Sequence, residues 1–454
     1  MLPVAVIIAF LSPGIHKAFG QGLAFESKTI AVGNGPSSVV AADINNDGNV
    51  ELICTDSKDN ALTVLTNDGS GGFVSNATYS LPGVNPACVV AADVNGDSMS
   101  DLIVALYNSN EIMVLTNNGT GGFGSNAVYS VGQAPSCVVA ADINGDGNPD
   151  LITANTSGYP FGGLTILTND GSGDIGFDAT LRVGATIPDD ESHWVAAADI
   201  NGDGKLDLIS ADILANTLTV LTNNGNGSFG SNATYNVGFE PQCVVVADVN
   251  GDGKPDLISA NYGHAPSVGT LTVLTNDGSG LFVSNATYNV GAGAFFVTAT
   301  DINGDGKPDL ICANSNTNTL TVLTNDGSGG FDFCTTLTVG HGPRSIAVTN
   351  VNGRLELITA NWGDASTGYG SNNTLTVLIQ LPPPPELTVA TAGPDVITVS
   401  WPLSATNFVL QTNADLTTTN WGIAGFAVST NGLLQSITVN PALTGNLYFR
   451  LIAQ

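Results

Sequence analysis

Positively charged side chains are scarce in this sequence. Its 454 residues include only 10 Lys and Arg against 39 Asp and Glu, so the formal net charge is −29. Proteins that bind nucleic acid neutralise phosphates with basic side chains, and no basic stripe is present here. An acidic disordered chain is excluded as well, because 43% of the residues are hydrophobic and only 11% are charged. The composition indicates an ordered, acidic protein that does not bind nucleic acid.

Long apolar segments are missing after the first twenty residues. The N-terminal MLPVAVIIAFLSPG has the length of a signal-peptide core, and Ala18 and Gly20 are small residues at the positions where cleavage would occur. The basic residue that usually precedes such a core is absent, so a truncated or misassigned start is the alternative. We expect residues 1–20 to be a signal peptide and the protein to be secreted or at the cell surface. No later segment has the 18 uninterrupted apolar residues of a membrane span.

Sustained helical periodicity is also lacking, and 55 glycines are too many for a helical protein. An acidic decapeptide, DINGDGKPDL at 301–310, instead recurs about every 50 residues. Its six good copies begin at Asp43, Asp93, Asp142, Asp199, Asp248 and Asp301, and a degenerate seventh begins at Asn350. Each unit carries four strand-like segments, which in the second unit are CVVAA (88–92), DLIVAL (101–106), IMVLTN (112–117) and FGSNAVYSV (123–131). The sequence therefore predicts an all-β repeat protein.

Four antiparallel strands per repeat are typical of β-propeller blades. First, second and third strand segments occur seven times, but only six fourth strands lie between them. AFESKTIAVGNGP (24–36) aligns with the fourth-strand segment and supplies the missing copy at the front. We therefore expect residues 24–380 to form a seven-bladed β-propeller that the N-terminal strand closes, which leaves no exposed sheet edge.

GFGSNAVYSVGQAPS (122–136) combines a Phe-Gly pair with a Gly-x-Pro pair, and the acidic loop accompanies it in phase with the strands. These residues resemble the FG-GAP/VCBS repeat family, whose seven-bladed propeller also forms the head of the integrin α subunit. The resemblance covers residues 24–380. It implies Ca²⁺ binding in the acidic loops and a role in adhesion or carbohydrate recognition.

The acidic loops have the oxygen-rich composition that Ca²⁺ prefers. In DINGDGKPD, positions 1, 3, 5 and 9 offer side-chain oxygens, and a glycine at position 6 lets the carbonyl of position 7 turn inward. Position 12 is Cys312 and both flanks are strands, so the loop is not an EF-hand. Good turn-forming sequence is the alternative reading, but six copies in register, each with a terminal carboxylate, argue against it. The predicted ligands are Asp43, Asn45, Asp47, Asn49, Glu51, Asp93, Asn95, Asp97, Met99, Asp101, Asp142, Asn144, Asp146, Asn148, Asp150, Asp199, Asn201, Asp203, Lys205, Asp207, Asp248, Asn250, Asp252, Lys254, Asp256, Asp301, Asn303, Asp305, Lys307 and Asp309.

The seven loops differ in quality. Ser98 replaces the position 6 glycine in the second loop, which predicts a weaker site there. The seventh aligns only with two residues deleted, and Arg354 stands where a ligand carbonyl would come, so we expect no metal at the Asn350 loop. About six structural Ca²⁺ ions are therefore expected.

The opposite face of the propeller carries the longer loops, where binding residues are usually found. Long second-to-third-strand loops and one expanded crossing between blades bring aromatic, acidic and His side chains to this face. The candidate ligand-binding residues are Tyr159, Phe161, Asp189, Asp190, His193, Trp194, Tyr262, His264, Arg344, Trp362 and Tyr369. They predict a monomeric module that binds a glycan or an extracellular protein. The alternatives are a polysaccharide lyase or hydrolase that uses His193 or His264 with Asp189 or Asp190, and a structural surface protein without a specific ligand.

The remaining segments carry weaker signals. LPPPPE (381–386) is a stiff linker, and residues 387–454 predict a small β-sandwich-like domain that resembles fibronectin type III. Five of the six cysteines recur at repeat-equivalent positions. We expect these to be buried and unbonded, because equivalent positions lie about one repeat apart, although a Cys54–Cys88 contact between neighbouring blades stays open.

Overall fold

The computed structural model describes residues 7–8 and 23–453, except 70, 83, 158–162, 184–190, 264–267, 364–372, 382–387, 394–395, 403–407, 414–421, 424–427, 432–433 and 440–447. The chain divides into two compact units, one of Ser27–Ile379 and one of Met1–Glu26 with Gln380–Gln454. Both are built from strands. No segment in the described part of the chain forms a helix that could cross a membrane.

The larger unit contains seven four-stranded antiparallel sheets, numbered here in chain order. Sheet 1 is Pro36–Ala42, Glu51–Asp56, Ala61–Asn67 and Phe73–Ser80, and sheet 2 is Pro86–Ala92, Asp101–Leu106, Glu111–Asn117 and Phe123–Ser130. Sheet 3 is Gln133–Ala141, Asp150–Ser157, Gly163–Asn169 and Ile175–Leu181, and sheet 4 is Ser192–Ala198, Asp207–Asp212, Thr217–Asn223 and Phe229–Asn236. Sheet 5 is Pro241–Ala247, Asp256–Asn261, Thr270–Asn276 and Phe282–Asn289, and sheet 6 is Ala294–Thr300, Asp309–Asn314, Thr319–Asn325 and Phe331–Thr338.

Sheet 7 is assembled from both ends of the larger unit. Its first three strands are Pro343–Val351, Arg354–Asn361 and Thr374–Gln380, and the N-terminal strand Phe25–Ala31 lies beside the third. The first strand of every sheet contacts the first strand of the next, and that of sheet 7 contacts that of sheet 1. Val39 also donates its N–H to Ser345 Oγ at 3.3 Å, which joins sheets 1 and 7 directly.

Burial follows the order of the strands within a sheet. Every residue of the second strand is buried in sheets 1, 2, 4, 5 and 6, whereas the fourth strands alternate between exposed and partly buried positions. A strand buried on both faces needs apolar neighbours on each side. Neighbouring sheets supply them. One core cluster, for example, joins Leu52 and Cys54 of sheet 1 to Ile358, Leu375 and Val377 of sheet 7.

Aromatic contacts repeat between neighbouring fourth strands. Tyr235 packs edge-on against Phe282 with ring centroids 5.4 Å apart, and its hydroxyl accepts the Phe282 N–H at 3.2 Å. Tyr288 and Phe331 make the same pair between sheets 5 and 6. The Tyr and Phe of the repeated fourth strand therefore join one sheet to the next.

The smaller unit contains two further four-stranded sheets. Their strands are Ile7–Ile8, Tyr448–Ala453, Phe408–Asn413 and Gly422–Ile423 in one, and Thr388–Gly393, Val396–Pro402, Leu434–Val439 and Ser429–Asn431 in the other. Trp401 is buried and donates its Nε1–H to Gln435 Oε1 at 2.7 Å. Apart from Ile7–Ile8, these strands lie within residues 387–454, where the sequence predicted a small β domain.

The five repeat-equivalent cysteines are buried and form no disulfide. Cys88 and Cys137, at equivalent positions, form no disulfide, and the Cys88 thiol instead donates to the Val138 carbonyl of the next sheet at 3.9 Å. One repeat along the chain is a short distance in space because the first strands of sheets 2 and 3 are in contact.

A buried carboxyl at Asp56 predicts a pH-dependent stability. Its Oδ2 accepts the Thr63 hydroxyl at 2.6 Å, Oδ1 is buried without a partner among the described residues, and burial raises the pKa to about 7 from 3.8. Burial favours the neutral Asp56 carboxyl in the folded state. With respect to this group, the folded state therefore has its full stability below pH 3.8 and loses stability as the pH rises through 7, where the buried carboxyl must ionise. Asn occupies the equivalent position in four other sheets, as Asn155, Asn261, Asn314 and Asn361.

Asp56→Asn should therefore raise the free energy of unfolding at pH 8 by on the order of 3 kcal/mol and change it little at pH 4. Denaturant unfolding of chelated protein at both pH values measures this. The exposed Asp332→Asn is the control and should show no such difference. Equal destabilisation by Asp56→Asn at both pH values would contradict the assignment.

Candidate functional site

Six acidic loops join the first and second strands of sheets 1 to 6, all at the same end of the sheets. In the sixth, Asp301 Oδ1 accepts the Gly304 and Asp305 N–H groups at 2.7 and 3.1 Å, and its Oδ2 accepts that of Gly306 at 2.7 Å. Asn303 Oδ1 accepts the Asp305 N–H at 2.8 Å. The third, fourth and fifth loops repeat these bonds. The predicted ligands at positions 1 and 3 therefore shape the loop backbone.

The carboxylate at position 9 is fully buried in all six loops. In the sixth, Asp309 Oδ2 accepts the Ile302 N–H at 3.0 Å and Oδ1 accepts the Asn325 N–H at 2.8 Å. The equivalent residues are Glu51, Asp101, Asp150, Asp207 and Asp256. Burial raises the pKa of each of the six, and the carboxylates at positions 5 and 1 raise it further.

The donor set fits a hard cation, although the carboxylates do not form a ready-made cluster. Across the described residues, no three His, Cys, Asp or Glu side chains are grouped so that they could hold a metal ion. Each loop nevertheless combines carboxylate and amide oxygens, and its buried position 9 carboxylate feels two neighbouring negative charges. Lys205 and Lys254 pair with the position 5 carboxylates Asp203 and Asp252 at 3.8 and 3.6 Å, so part of the negative charge of these two loops is offset. Clustered carboxylates favour a bound cation, and the all-oxygen donors suit Ca²⁺.

Position 6 requires a left-handed backbone in every acidic loop. Gly48, Gly147, Gly204, Gly253 and Gly306 have φ between 81° and 92°, and Ser98 is held at 67° in the second loop. A side chain in this region costs about 1 kcal/mol or more, so the second loop is strained where the others are not. The strain supports the prediction that the second loop is the weakest of the six.

The side chains at position 7 also make contacts with the loops and turns around them. Lys205, Lys254 and Lys307 each cap a carbonyl of the turn between the third and fourth strands of their own sheet, at 2.8–2.9 Å. Asn49 bonds to Asp47 Oδ1 at 3.0 Å. Met99 Sδ lies 2.8 Å from Asn46 Nδ2 of the first loop.

The seventh loop is shorter than the other six and forms a tight β-hairpin turn. Val351 pairs with Arg354, and the two residues between them, Asn352 and Gly353, have φ of 54° and 78°. Two residues with positive φ form the tight turn that joins antiparallel strands. Glu356 stands at position 9, is 1% exposed, and its Oε2 has no partner among the described residues. Burial raises its pKa, and Lys28 of the N-terminal strand opposes that shift.

An asparagine at the end of each third strand connects neighbouring loops. Asn223 donates its N–H to Asp207 Oδ1 at 2.8 Å, while its Nδ2 bonds to the Ile143 carbonyl of the preceding loop at 2.6 Å and to Leu206 O at 2.9 Å. Asn117, Asn169, Asn276 and Asn325 make the same bonds. The Nδ2 group of Asn67 in sheet 1 bonds to Val50 O of its own loop and to no carbonyl of sheet 7 among the described residues, because sheet 7 has no acidic loop.

The opposite end of the sheets contains two cavities, of about 720 and about 370 Å³. They are lined by residues that follow the second strands and by residues at the start of the first strands. The two groups are tied together by backbone bonds such as Tyr262 N–H to Glu240 O and Trp362 N–H to Gly342 O, both 3.0 Å. The binding residues are therefore held by the sheets themselves.

Arg344, Trp362 and Phe295 line both cavities. The guanidinium carbon of Arg344 lies 3.8 Å from the Trp362 ring centroid and 5.1 Å from that of Phe295. Lys58 Nζ lies 4.8 Å from the Trp362 centroid. Tyr262 lines the larger cavity and donates its hydroxyl to Asn316 Oδ1 at 3.1 Å. Tyr262, Arg344 and Trp362, three of the candidate binding residues, therefore line one cavity.

His193 and Trp194 line the smaller cavity but are also packing residues. His193 Nδ1 lies 2.8 Å from Gln242 O, and its ring packs edge-on against Phe295. Burial lowers its pKa to about 4, so the imidazole is neutral at pH 7. Trp194 packs against Phe296 and contacts the cores of several sheets.

Six of the predicted binding residues lie outside the described residues: Tyr159, Phe161, Asp189, Asp190, His264 and Tyr369. Other cavity residues were missed by sequence reasoning. Tyr107 occupies the position of Tyr262 and Trp362, directly after a second strand, and lines the smaller cavity. Aligning the position after every second strand would have identified it.

Comparison with known proteins places the repeat in one family. A model described as FG-GAP-like repeat matches residues 43–104, 93–153, 144–210, 202–259, 248–312 and 301–354. No curated protein matches the sequence.

Solved structures share the fold at low identity. BBS1N in complex with ARL6DN is 12% identical with a TM-score of 0.55, covering 80% of this chain and 97% of that one. A 6-phosphogluconolactonase-like protein from Bacteroides uniformis is 13% identical with a TM-score of 0.54, covering 74% and 97%. Virginiamycin B lyase from Staphylococcus aureus is 14% identical with a TM-score of 0.51, covering 79% and 100%.

The bonds of Asn223 to two loops predict a large effect of its removal. Asn223→Ala leaves the Ile143 and Leu206 carbonyls without their donor, and each such group costs about 1–3 kcal/mol when buried. We expect a loss of about 2–4 kcal/mol in the free energy of unfolding, measured by urea denaturation. Asn67→Ala is the matched control and should cost about half as much, since only one carbonyl is affected. Equal losses in the two variants would show that the link between sheets contributes nothing.

Proposed function

Because the chain belongs to the FG-GAP-like repeat family, we propose that it is a secreted or cell-surface calcium-binding β-propeller that binds a glycan or an extracellular protein and serves adhesion. The cavity built around Arg344 and Trp362 is the observation that carries the binding role. Aromatic rings that converge with polar groups on a rigid scaffold are typical of ligand sites.

In this proposal the seven sheets are the blades of a closed propeller. The ring of contacts between first strands supports it, as does the place of Phe25–Ala31 in sheet 7 beside Thr374–Gln380. Closure through the N-terminal strand would pair the last sheet edge and remove a site for aggregation.

We assign one Ca²⁺ to each of the six acidic loops, with the side chains at positions 1, 3, 5 and 9 and the carbonyl of position 7 as its ligands. The ion would neutralise the three carboxylates of a loop and stabilise the connection between sheets that passes through position 9. The second loop would bind most weakly because of Ser98. The hairpin that joins the first two strands of sheet 7 would need no ion, since Lys28 partly offsets the charge of Glu356.

A glycan fits the larger cavity well. Its volume of about 720 Å³ lies within the range of small-molecule sites. Trp362, Phe295 and Tyr262 offer ring faces, while Asn316, Asn318 and Glu240 offer hydrogen-bonding groups of the kind that sugar hydroxyls need.

The enzyme alternative has weaker support. The proposed acid–base residue His193 has a pKa of about 4, and its Nδ1 contacts the Gln242 carbonyl, so it is a weak base at neutral pH. The similar structures include both a lyase and a protein in complex, so fold similarity favours neither class.

Calcium should raise the melting temperature of chelated protein strongly, because binding only to the folded state stabilises it. Differential scanning calorimetry with and without Ca²⁺ measures the rise, and isothermal titration should give about six sites. Ser98→Gly should strengthen the weakest site and increase the rise further. A melting temperature that stays the same in millimolar Ca²⁺ would exclude the assignment, and Mg²⁺ at equal ionic strength is the control.

Trp362→Ala should abolish glycan binding on an array probed in Ca²⁺, because it removes the ring shared by both cavities. Phe333→Ala, which removes an exposed ring on a fourth strand, should leave binding intact. If wild-type protein binds no glycan, the carbohydrate role is wrong, and binding that persists in Trp362→Ala would place the site elsewhere.

A further inference from the structure

Two of the ten Lys and Arg residues of this acidic chain meet at one aromatic ring. Arg344 and Lys58 both lie over Trp362, at 3.8 and 4.8 Å from its centroid. They come from sheets 7 and 1, whose first strands are in contact. Two positive charges are therefore held close together at the end opposite the acidic loops.

Arg344 makes no ion pair and no side-chain hydrogen bond with any described residue. A guanidinium carries five N–H donors in a planar arrangement, which matches the two oxygens of a carboxylate. Here it is partly buried against Trp362 and Phe295 and faces two cavities. A cation held in this way, with its donors available, is suited to receive an anion.

The electrostatics of the pair support the same conclusion. Burial lowers the pKa of Arg344 to about 10, and burial together with the neighbouring Arg344 lowers the pKa of Lys58. Two like charges held close together destabilise each other. An anion bound beside Arg344 would be attracted by both charges.

The other polar groups of the larger cavity restrict which anion fits. Glu240 lines it and would repel a multiply charged phosphate or sulfate, whereas its carboxylate can accept hydrogen bonds from hydroxyl groups. Asn316, Asn318 and Ser315 add amides and a hydroxyl. A sugar with one carboxylate and several hydroxyls offers hydrogen-bond partners to Arg344, to Glu240 and to the amides. Its pyranose ring can also stack on the aromatic side chains.

We propose that the larger cavity selects acidic saccharides, with Arg344 binding the carboxylate of a uronic acid unit beside Trp362. The inference rests on the proposed glycan-binding function and names the class of glycan. An acidic peptide presents carboxylates as well but lacks the ring and hydroxyls, so it serves as a test ligand.

Isothermal titration with a galacturonic acid trisaccharide, its carboxyl-reduced galactose counterpart and hexa-aspartate tests the proposal in Ca²⁺. Wild-type protein should bind the uronic trisaccharide at least tenfold more tightly than the galactose trisaccharide. Arg344→Gln should lose that preference, because it should weaken uronate binding at least tenfold more than galactose binding. Arg344→Lys should recover only part of it, because an ammonium lacks the planar pair of donors.

Arg354→Gln is the matched control. It removes the same charge from the same sheet at the opposite end, so it should bind the uronic trisaccharide as wild type does. Unchanged melting temperatures of both variants in Ca²⁺ establish that they fold.

Each remaining outcome separates the two proposals. Equal binding of both trisaccharides, unaffected by Arg344→Gln, overturns the acidic-saccharide inference and leaves a neutral-glycan module. Tight binding of hexa-aspartate alone, lost in Arg344→Gln, replaces the saccharide by an acidic peptide. Binding of none of these probes, with a glycan array that is also negative, overturns the glycan function itself.

Discussion

The buried carboxylate that begins each second strand is the group on which this repeat depends. It accepts the N–H of position 2 in its own loop and the N–H of an asparagine at the end of the third strand. The same asparagine reaches back to the carbonyl of the preceding loop. One side-chain pair therefore closes a loop, aligns two strands and joins two sheets, so a defect in one loop is transmitted to the next.

This arrangement explains why acidity is concentrated in the loops. The 18 carboxylates at positions 1, 5 and 9 make up almost half of the 39 Asp and Glu residues. Burial and mutual repulsion raise the pKa of the position 9 groups, so the sheets carry an electrostatic cost that a bound cation would remove. Sheet 7 avoids the repulsion between loop carboxylates with a two-residue turn. Burial still raises the pKa of its remaining carboxyl, Glu356, and Lys28 of the N-terminal strand opposes that rise.

The two ends of the larger unit differ chemically. The acidic loops repeat almost unchanged in six of the seven sheets, as expected of a structural element. The opposite end is varied: the repeat position that Tyr262 occupies is filled, in chain order, by Ser57, Tyr107, Thr156, Ile213, Tyr262, Ser315 and Trp362. These differences give each repeated sheet its own surface at this end. Phe295 of sheet 6 meets Arg344 and Trp362 of sheet 7 at this surface.

The sequence by itself determined the repeat, its strands and the acidic loops, because hydrophobic alternation and turn residues are local signals repeated in phase. It also identified Tyr262, Arg344 and Trp362 from their place in the repeat. Tertiary structure alone decided which of these side chains meet. The contact of Arg344 and Lys58 with one tryptophan joins the first and last sheets, and the bond from the Cys88 thiol to the Val138 carbonyl spans a whole repeat. Such contacts depend on how the first strands pack side by side, which no local pattern encodes.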